Sequence, residues 1–182
     1  WFSCRYRLTN GSMETEVDRF GAMAAERVGT EVRGADLDLF RLSFALSRTA
    51  TRFVRHVESS AHRPIGLTWA GFRVLFTVWV CGSLESHRIA QLSGLSRASV
   101  SSAVNTLERD GMVSRSRESA DRRLVTVSLT ADGSELVRRA YTDQHAQEEV
   151  LFSSLDDGDV KLLTEMLERV LVTPLQATER ER

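Results

Sequence analysis

The sequence predicts a mostly α-helical chain with one small β-hairpin, an α+β fold. Three observations predict it. Apolar residues recur at spacings of three and four along most of the 182 residues, and only two prolines interrupt them. Two short stretches, Met112–Glu118 and Leu124–Leu129, alternate with period two instead. Apolar residues make up 42% and charged residues 27%, the balance of a globular chain rather than a disordered or fibrous one. The length suits one domain, or one domain with an appendage. The longest apolar run, Val74–Cys81 broken only by Thr77, is far short of the ~20 residues a membrane helix needs, so no membrane partner is expected. Two cysteines, Cys4 and Cys81, are too few for a disulfide framework or a metal cluster, and a reducing cytoplasm is the expected location.

Residues 1–12 show no periodicity. Gly11-Ser12-Met13 reads as a cloning junction before a start methionine, and the fold is read from there on. Glu14–Val28 fits a helix with Val17, Phe20, Ala24 and Val28 on one face, and Gly29–Gly34 breaks it. Asp36 or Asp38 caps a second helix, whose stripe is Leu39, Leu42, Leu46, Phe53 and Val57. It runs to about Ala61, where His62-Arg63-Pro64 stops it. Such length near a terminus suits a helix that packs on a partner chain. Thr68 then caps a helix over Trp69–Val80, striped by Phe72, Leu75, Phe76 and Trp79 and closed by Gly82.

The next fifty residues carry the function. Ser86–Leu92 is a short helix with Ile89 and Leu92 inward. Ser93-Gly94-Leu95 is a tight turn, Ser96 an N-cap, and Arg97–Asp110 a further helix that ends at Gly111. Helix, glycine-containing turn, helix is a DNA-reading arrangement. The second helix buries Val100, Val104 and Leu107. Its other face holds Ala98, Ser102, Asn105, Thr106 and Arg109, small and polar enough to enter a groove. The hairpin follows at once, its strands joined by the charged turn Ser119–Arg123, which makes it the wing of a winged helix. Arg123 is expected to enter a minor groove, held by Asp121 with Arg122 beside it. Ser99, Ser102 and Asn105 are expected at major-groove base edges, with Asn105 suited to adenine, and Arg97 and Arg109 near phosphates. Thr130 caps a long helix over Ala131–Phe152, marked by Leu136, Val137, Ala140 and Tyr141. Asp156 caps a last helix to Val172, striped by Leu162, Leu163, Met166, Leu167, Val170 and Leu171. Pro174 ends it, and residues 176–182 are expected to fray.

Charge follows the same division. Seven arginines meet five acids between Glu85 and Leu129, a local +2, whereas eight acids meet two bases between Asp143 and Val170, a local −6. A mildly basic middle on an acidic frame fits an anion-binding segment. His56, His62, His87 and His145 have no ligand spacing, and no Gly-rich phosphate loop or Gly-x-Ser-x-Gly occurs, so neither catalysis nor a metal or cofactor is expected. A winged helix used only for protein contacts would not need Arg115, Arg117, Arg122 and Arg123 on its hairpin.

The order of elements, the run Ile89–Val113 (IAQLSGLSRASVSSAVNTLERDGMV) and the run Asp121–Gly133 (DRRLVTVSLTADG) resemble the MarR family of bacterial transcriptional regulators. The Asp-x-Arg of Asp121 and Arg123 is that family's most specific short motif, and the resemblance spans residues 36–172. It implies a homodimer with a shared helical interface over residues 35–66 and 131–174, and a winged helix-turn-helix domain over 67–130. It also implies a palindromic operator in double-stranded DNA and, as in many members, release by a small phenolic or other aromatic ligand. Leu39, Leu42, Leu162, Met166, Leu167 and Val170 are the expected two-fold interface. A ligand pocket is expected where the long helices meet the winged lobe. Phe44, Trp69 and Phe72 would be its walls, and Arg52, His56 and Arg73 its polar holders. Peroxide-sensing members keep their cysteine in the first core helix, which has none here. Cys81 is expected buried and inert beside Trp79, with thiol sensing through it as the alternative. Asp18–Arg27 loosely resembles urate-responsive members, but Ala24 or Ala25 and Arg73 stand where those carry a tryptophan and an acid.

Overall fold

The computed structural model describes residues 13–116 and 125–174, with side chains from residue 19 onward. The expected cloning junction, the wing turn and the tail after residue 174 lie outside the described residues. Two compact units divide the chain, residues 1–55 and 56–182.

In the first unit, α1 (Met13–Glu31) lies antiparallel to α2 (Leu37–Val57). The expected break at Gly29 comes later, after Glu31, because Gly29 stays helical beneath the Leu37 side chain; a Cβ there would stand 3.3 Å from Leu37 Cδ1. Among the described side chains of α1 the buried one is Ala25, whereas Phe20 is half exposed and leans on the Phe44 ring. Asp36 is the cap of α2, its carboxylate accepting from the backbone N–H of Asp38 (2.9 Å) and Leu39 (3.1 Å). Leu39, Leu42 and Leu46 along α2 are exposed.

Beyond α2 the helical path changes pitch before it stops. A π-helical turn (Glu58–His62) and a 3-10 turn (Arg63–Ile65) carry it through Pro64 to Gly66, whose φ of +79° reverses the chain. Thr68 then caps α3 (Trp69–Cys81), accepting from the Gly71 N–H at 3.0 Å. α3 is the hub of the second unit and is buried on more sides than a single stripe: Phe72, Val74, Leu75, Thr77 and Val78 are all sealed. Trp79, expected inside, is 41% exposed. Cys81 is also exposed, contrary to expectation, because it is the last residue of α3, where the chain leaves through Gly82.

Around α3 pack α4 (Ser86–Ser93), α5 (Arg97–Arg109) and α6 (Ala131–Leu151), and they share one core of Ile89, Val100, Val104, Leu107, Val113, Val127, Val137 and Ala140. Each such buried aliphatic side chain stabilises the fold by about 1.5–3 kcal/mol over its exposed state. In α4 the inward residues are Ile89, Ala90 and Ser93; Leu92, expected inward, is 49% exposed. The eight-residue helix turns that face because the Ser93 carbonyl accepts from the Arg73 guanidinium of α3, at 2.6 Å from Nη2 and 3.2 Å from Nε.

The hairpin strands are β2 (Val113–Ser116) and β3 (Thr126–Leu129), with Val113 opposite Leu129 and Arg115 opposite Val127. A third strand, β1 (Leu84–Glu85), pairs antiparallel with the other edge of β3, giving the order β1-β3-β2. The Ser83 and Ser128 hydroxyls bond beside it. Thr130 joins sheet to α6 by capping it and by donating to the Gly111 carbonyl at 2.8 Å. Gly133 sits so close to the α5–β2 turn that a Cβ would lie 1.9 Å from the Met112 carbonyl oxygen. α7 (Asp157–Leu171) opens with a capping box between Asp156 and Asp159. All of its residues are exposed, the apolar stripe included.

Candidate nucleic-acid interface

α5 is held on one side and bare on the other. Ser96 caps it, accepting from the Ser99 N–H at 3.1 Å, and Val100, Val104 and Leu107 lock it into the core. The outward residues Arg97, Ala98, Ser99, Ser102, Asn105, Thr106 and Arg109 are exposed. They form a surface of small polar side chains between a guanidinium at each end, the shape and charge that a major groove and its flanking phosphates accept. Gly111, with φ +76°, reverses the chain straight into β2.

The predicted DNA-contacting residues on α5 are thus brought together on one face. Their local bonds differ. Ser99 Oγ is shared with Ser96 Oγ (2.8 Å), which ties it to the cap. Arg109 pairs with Asp110 (2.9 Å). Asn105 Oδ1 accepts from Arg115 Nη2 at 2.6 Å, while Arg115 Nη1 donates to Glu108 Oε2 at 2.8 Å. Arg115 was not among the expected contact residues. Its signal was the alternation itself: two residues after buried Val113, it lies on the strand face that meets α5. Asp121, Arg122 and Arg123 lie outside the described residues.

The expected ligand residues fall into two groups. In the first unit, Phe44 stacks on Phe40 (5.6 Å) and lines a groove of about 880 Å³ between α1 and α2; Arg52 is exposed and outside that lining. In the second unit, Trp69 and Phe72 come together around His62, a residue not expected there, with ring centroids 5.8 and 4.3 Å from its imidazole. Phe72 is part of the core. Arg73 lies over the Trp69 ring (5.8 Å) and is committed to the Ser93 carbonyl. His62 Nε2 meets Gln144 Oε1 at 3.1 Å. Burial pushes the His62 pKa below the usual imidazole value, against the Gln144 hydrogen bond and the Glu58 charge. His56 Nε2 and His62 Nδ1 are buried and have no hydrogen-bond partner among the described residues. A second groove, of about 690 Å³, runs between the start of α3 and α5, bordered by Thr68, Gly71, Ser99, Ser102 and Thr106. Among the described residues no cluster of His, Cys, Asp or Glu could hold a metal.

The family model for the MarR family matches residues 67–125, from just before the cap of α3 to the residue before β3. An uncharacterized HTH-type transcriptional regulator of Bacillus subtilis, YwaE, is 33% identical over 139 residues, 76% of this chain and 81% of that protein. The chain belongs to the MarR family. Among solved structures, a cysteine-to-serine mutant of MarR from E. coli complexed with operator DNA superposes with a TM-score of 0.67 at 20% identity, covering 75% of this chain and 99% of that one. Bordetella bronchiseptica BpsR, whose DNA binding is regulated by 6-hydroxynicotinic acid, gives a TM-score of 0.67 at 23% identity, covering 72% and 98%. This MarR-family protein is a DNA-binding transcriptional regulator and not an enzyme.

Proposed function

We propose that this regulator works as a homodimer that represses from a palindromic operator and leaves it when a small aromatic or lipophilic anion binds. The observation that carries the DNA reading is the exposed α5 face, small and polar, with Arg97 and Arg109 at its ends. Ser102 and Asn105 then approach base edges, the two arginines approach phosphates, and Arg123 of the wing, oriented by Asp121 and flanked by Arg122, enters the minor groove. The dimer reading is supported by α7, a helix with an apolar stripe and no buried residue, and by exposed Leu39 and Leu42 on α2. We assign each of these faces to a second copy of the chain. The recognition helices of the dimer then lie about 34–36 Å apart, one DNA turn.

The ligand reading is supported by aromatic rings and orphaned imidazole nitrogens in the same unit: Trp69 and Phe72 around His62, and the bare nitrogens of His56 and His62. That BpsR responds to an aromatic acid fits the same class of ligand. Because Cys81 is exposed, oxidation of its thiol is the second reading. A fluorescent DNA fragment flanking the protein's own gene tests the whole. Tight binding with a steep salt dependence is expected, and its absence would leave a winged helix used for protein contacts. A panel of small aromatic acids, titrated against Trp fluorescence and DNA release, tests the ligand. If none releases DNA while peroxide does, and Cys81→Ser abolishes the peroxide response, thiol sensing replaces it.

A further inference from the structure

The recognition helix is keyed from outside itself. Arg115 stands in β2 opposite Val127, with its stem on the strand face that buries Val113 and its side chain 30% exposed. Its guanidinium forks across the turn at Gly111 to α5. Nη1 donates to Glu108 Oε2 (2.8 Å) and Nη2 to Asn105 Oδ1 (2.6 Å). A guanidinium only donates, so the carboxamide of Asn105 turns its oxygen back toward β2. Its Nδ2 has no partner among the described residues. The same fork cancels the charge of Glu108, an acid on the helix that faces phosphates.

We propose that Arg115 is a specificity-determining positioning residue, which holds Asn105 so that the helix offers the groove an N–H donor rather than a donor–acceptor pair. An unrestrained asparagine reads adenine by donating to N7 and accepting from N6. With its oxygen engaged by Arg115, Asn105 selects instead for a base that only accepts at that position, guanine through N7 and O6 or thymine through O4. This rests on the reading that α5 enters the major groove. It differs from what the sequence alone implies, which is adenine.

The test is a competition assay with all four base pairs at each half-site position, run on wild type, Asn105→Ala and Glu108→Gln/Arg115→Met. The double variant removes one charge of each sign, so the local net charge stays constant and the salt slope changes only if Arg115 itself contacts a phosphate. Wild type is expected to favour guanine or thymine at one position per half-site, and Asn105→Ala to lose that preference. The double variant is expected to move it toward adenine by roughly five-fold or more. If the double variant keeps the wild-type profile, Arg115 does not set the preference and the proposal is wrong. It is equally wrong if every sequence weakens alike with a shallower salt slope, which marks a phosphate contact, or if Asn105→Ala changes nothing. Wild type that fails to discriminate any sequence would instead overturn the DNA reading beneath it. Should the double variant melt early, Arg115→Lys serves. Its ammonium keeps the Glu108 charge pair but lacks the planar fork, and a profile between the other two is expected.

Discussion

An imidazole sealed against two neighbouring aromatic rings is committed to one protonation state. His62 is fully buried against Phe72 and Trp69. Gln144 presents its oxygen, since its Nε2 donates to Glu148 Oε1 at 2.7 Å, so His62 Nε2 carries the proton and Nδ1 is bare. A second proton on Nδ1 would place a charge where no described residue accepts it, and the pKa is accordingly depressed by burial. The unfolded chain therefore binds this proton first. The contribution of His62 to stability is complete above about pH 6.5, falls as the pH drops from there to its lower folded-state pKa, and changes no further below it. Urea midpoints at pH 7 and pH 5.5 should fall for wild type, and less for His62→Phe, which keeps the stack; equal falls would remove His62 as the cause. Gly133 is constrained by space rather than by charge. The atom a Cβ would strike is the Met112 carbonyl oxygen of a turn pinned by Gly111 and Thr130, so neither side can yield. Gly133→Ala should cost about 3 kcal/mol, the upper end of overpacking, visible as an early thermal melt. Gly21→Ala, 3.4 Å from the Phe44 ring, meets only ordinary contact and should melt no earlier than wild type.

Five helix starts were legible in the sequence because they are announced locally: Asp36, Thr68, Ser96, Thr130 and Asp156 all accept the backbone N–H groups that a cap must satisfy. The inward face of an element was legible only where one side is covered. α5 reads correctly through Val100, Val104 and Leu107, whereas α3, covered on several sides, reads as a single stripe and hides Val74 and Val78. α4 misleads at Leu92 because its rotation is set by Arg73, twenty residues earlier in the chain from Ser93. β1 has two residues, too few for a period to show. The site was half legible for the same reason. Residue types on α5 marked its exposed polar face, but the pairing of Arg115 with Asn105 and Glu108 depends on the turn that folds β2 back onto the helix. The wing is the element whose chemistry rests on its own short motif. If Arg123 reaches the minor groove, Arg123→Ala should weaken operator binding by about 1–3 kcal/mol with an unchanged melting temperature. Unchanged affinity in a folded variant would take the wing out of DNA recognition.

A net charge of −1 gives the whole chain no general attraction to DNA, so affinity must come from where its arginines stand and from how many lobes engage at once. One lobe offers a short recognition helix and one wing. Joining two lobes through a common interface makes the second engagement intramolecular, a gain of about 10²–10⁴-fold without any new contact. The surface proposed for that joining is α7, where Leu162, Leu163, Met166 and Leu167 are each 41–53% exposed along one helix. A stripe of that kind costs solubility unless a second copy covers it. Introducing Met166→Glu and Leu167→Glu should leave the second unit folded, since α7 buries nothing in it, yet yield monomers in sedimentation at micromolar concentration. Operator affinity should then drop by about two orders of magnitude or more. The slope of log K against log salt should fall to about half, because only one lobe's phosphate contacts release counterions. A wild type that already sediments as a monomer would refute the dimer. A charged variant that binds its operator with the full wild-type slope would show that α7 does not join the lobes.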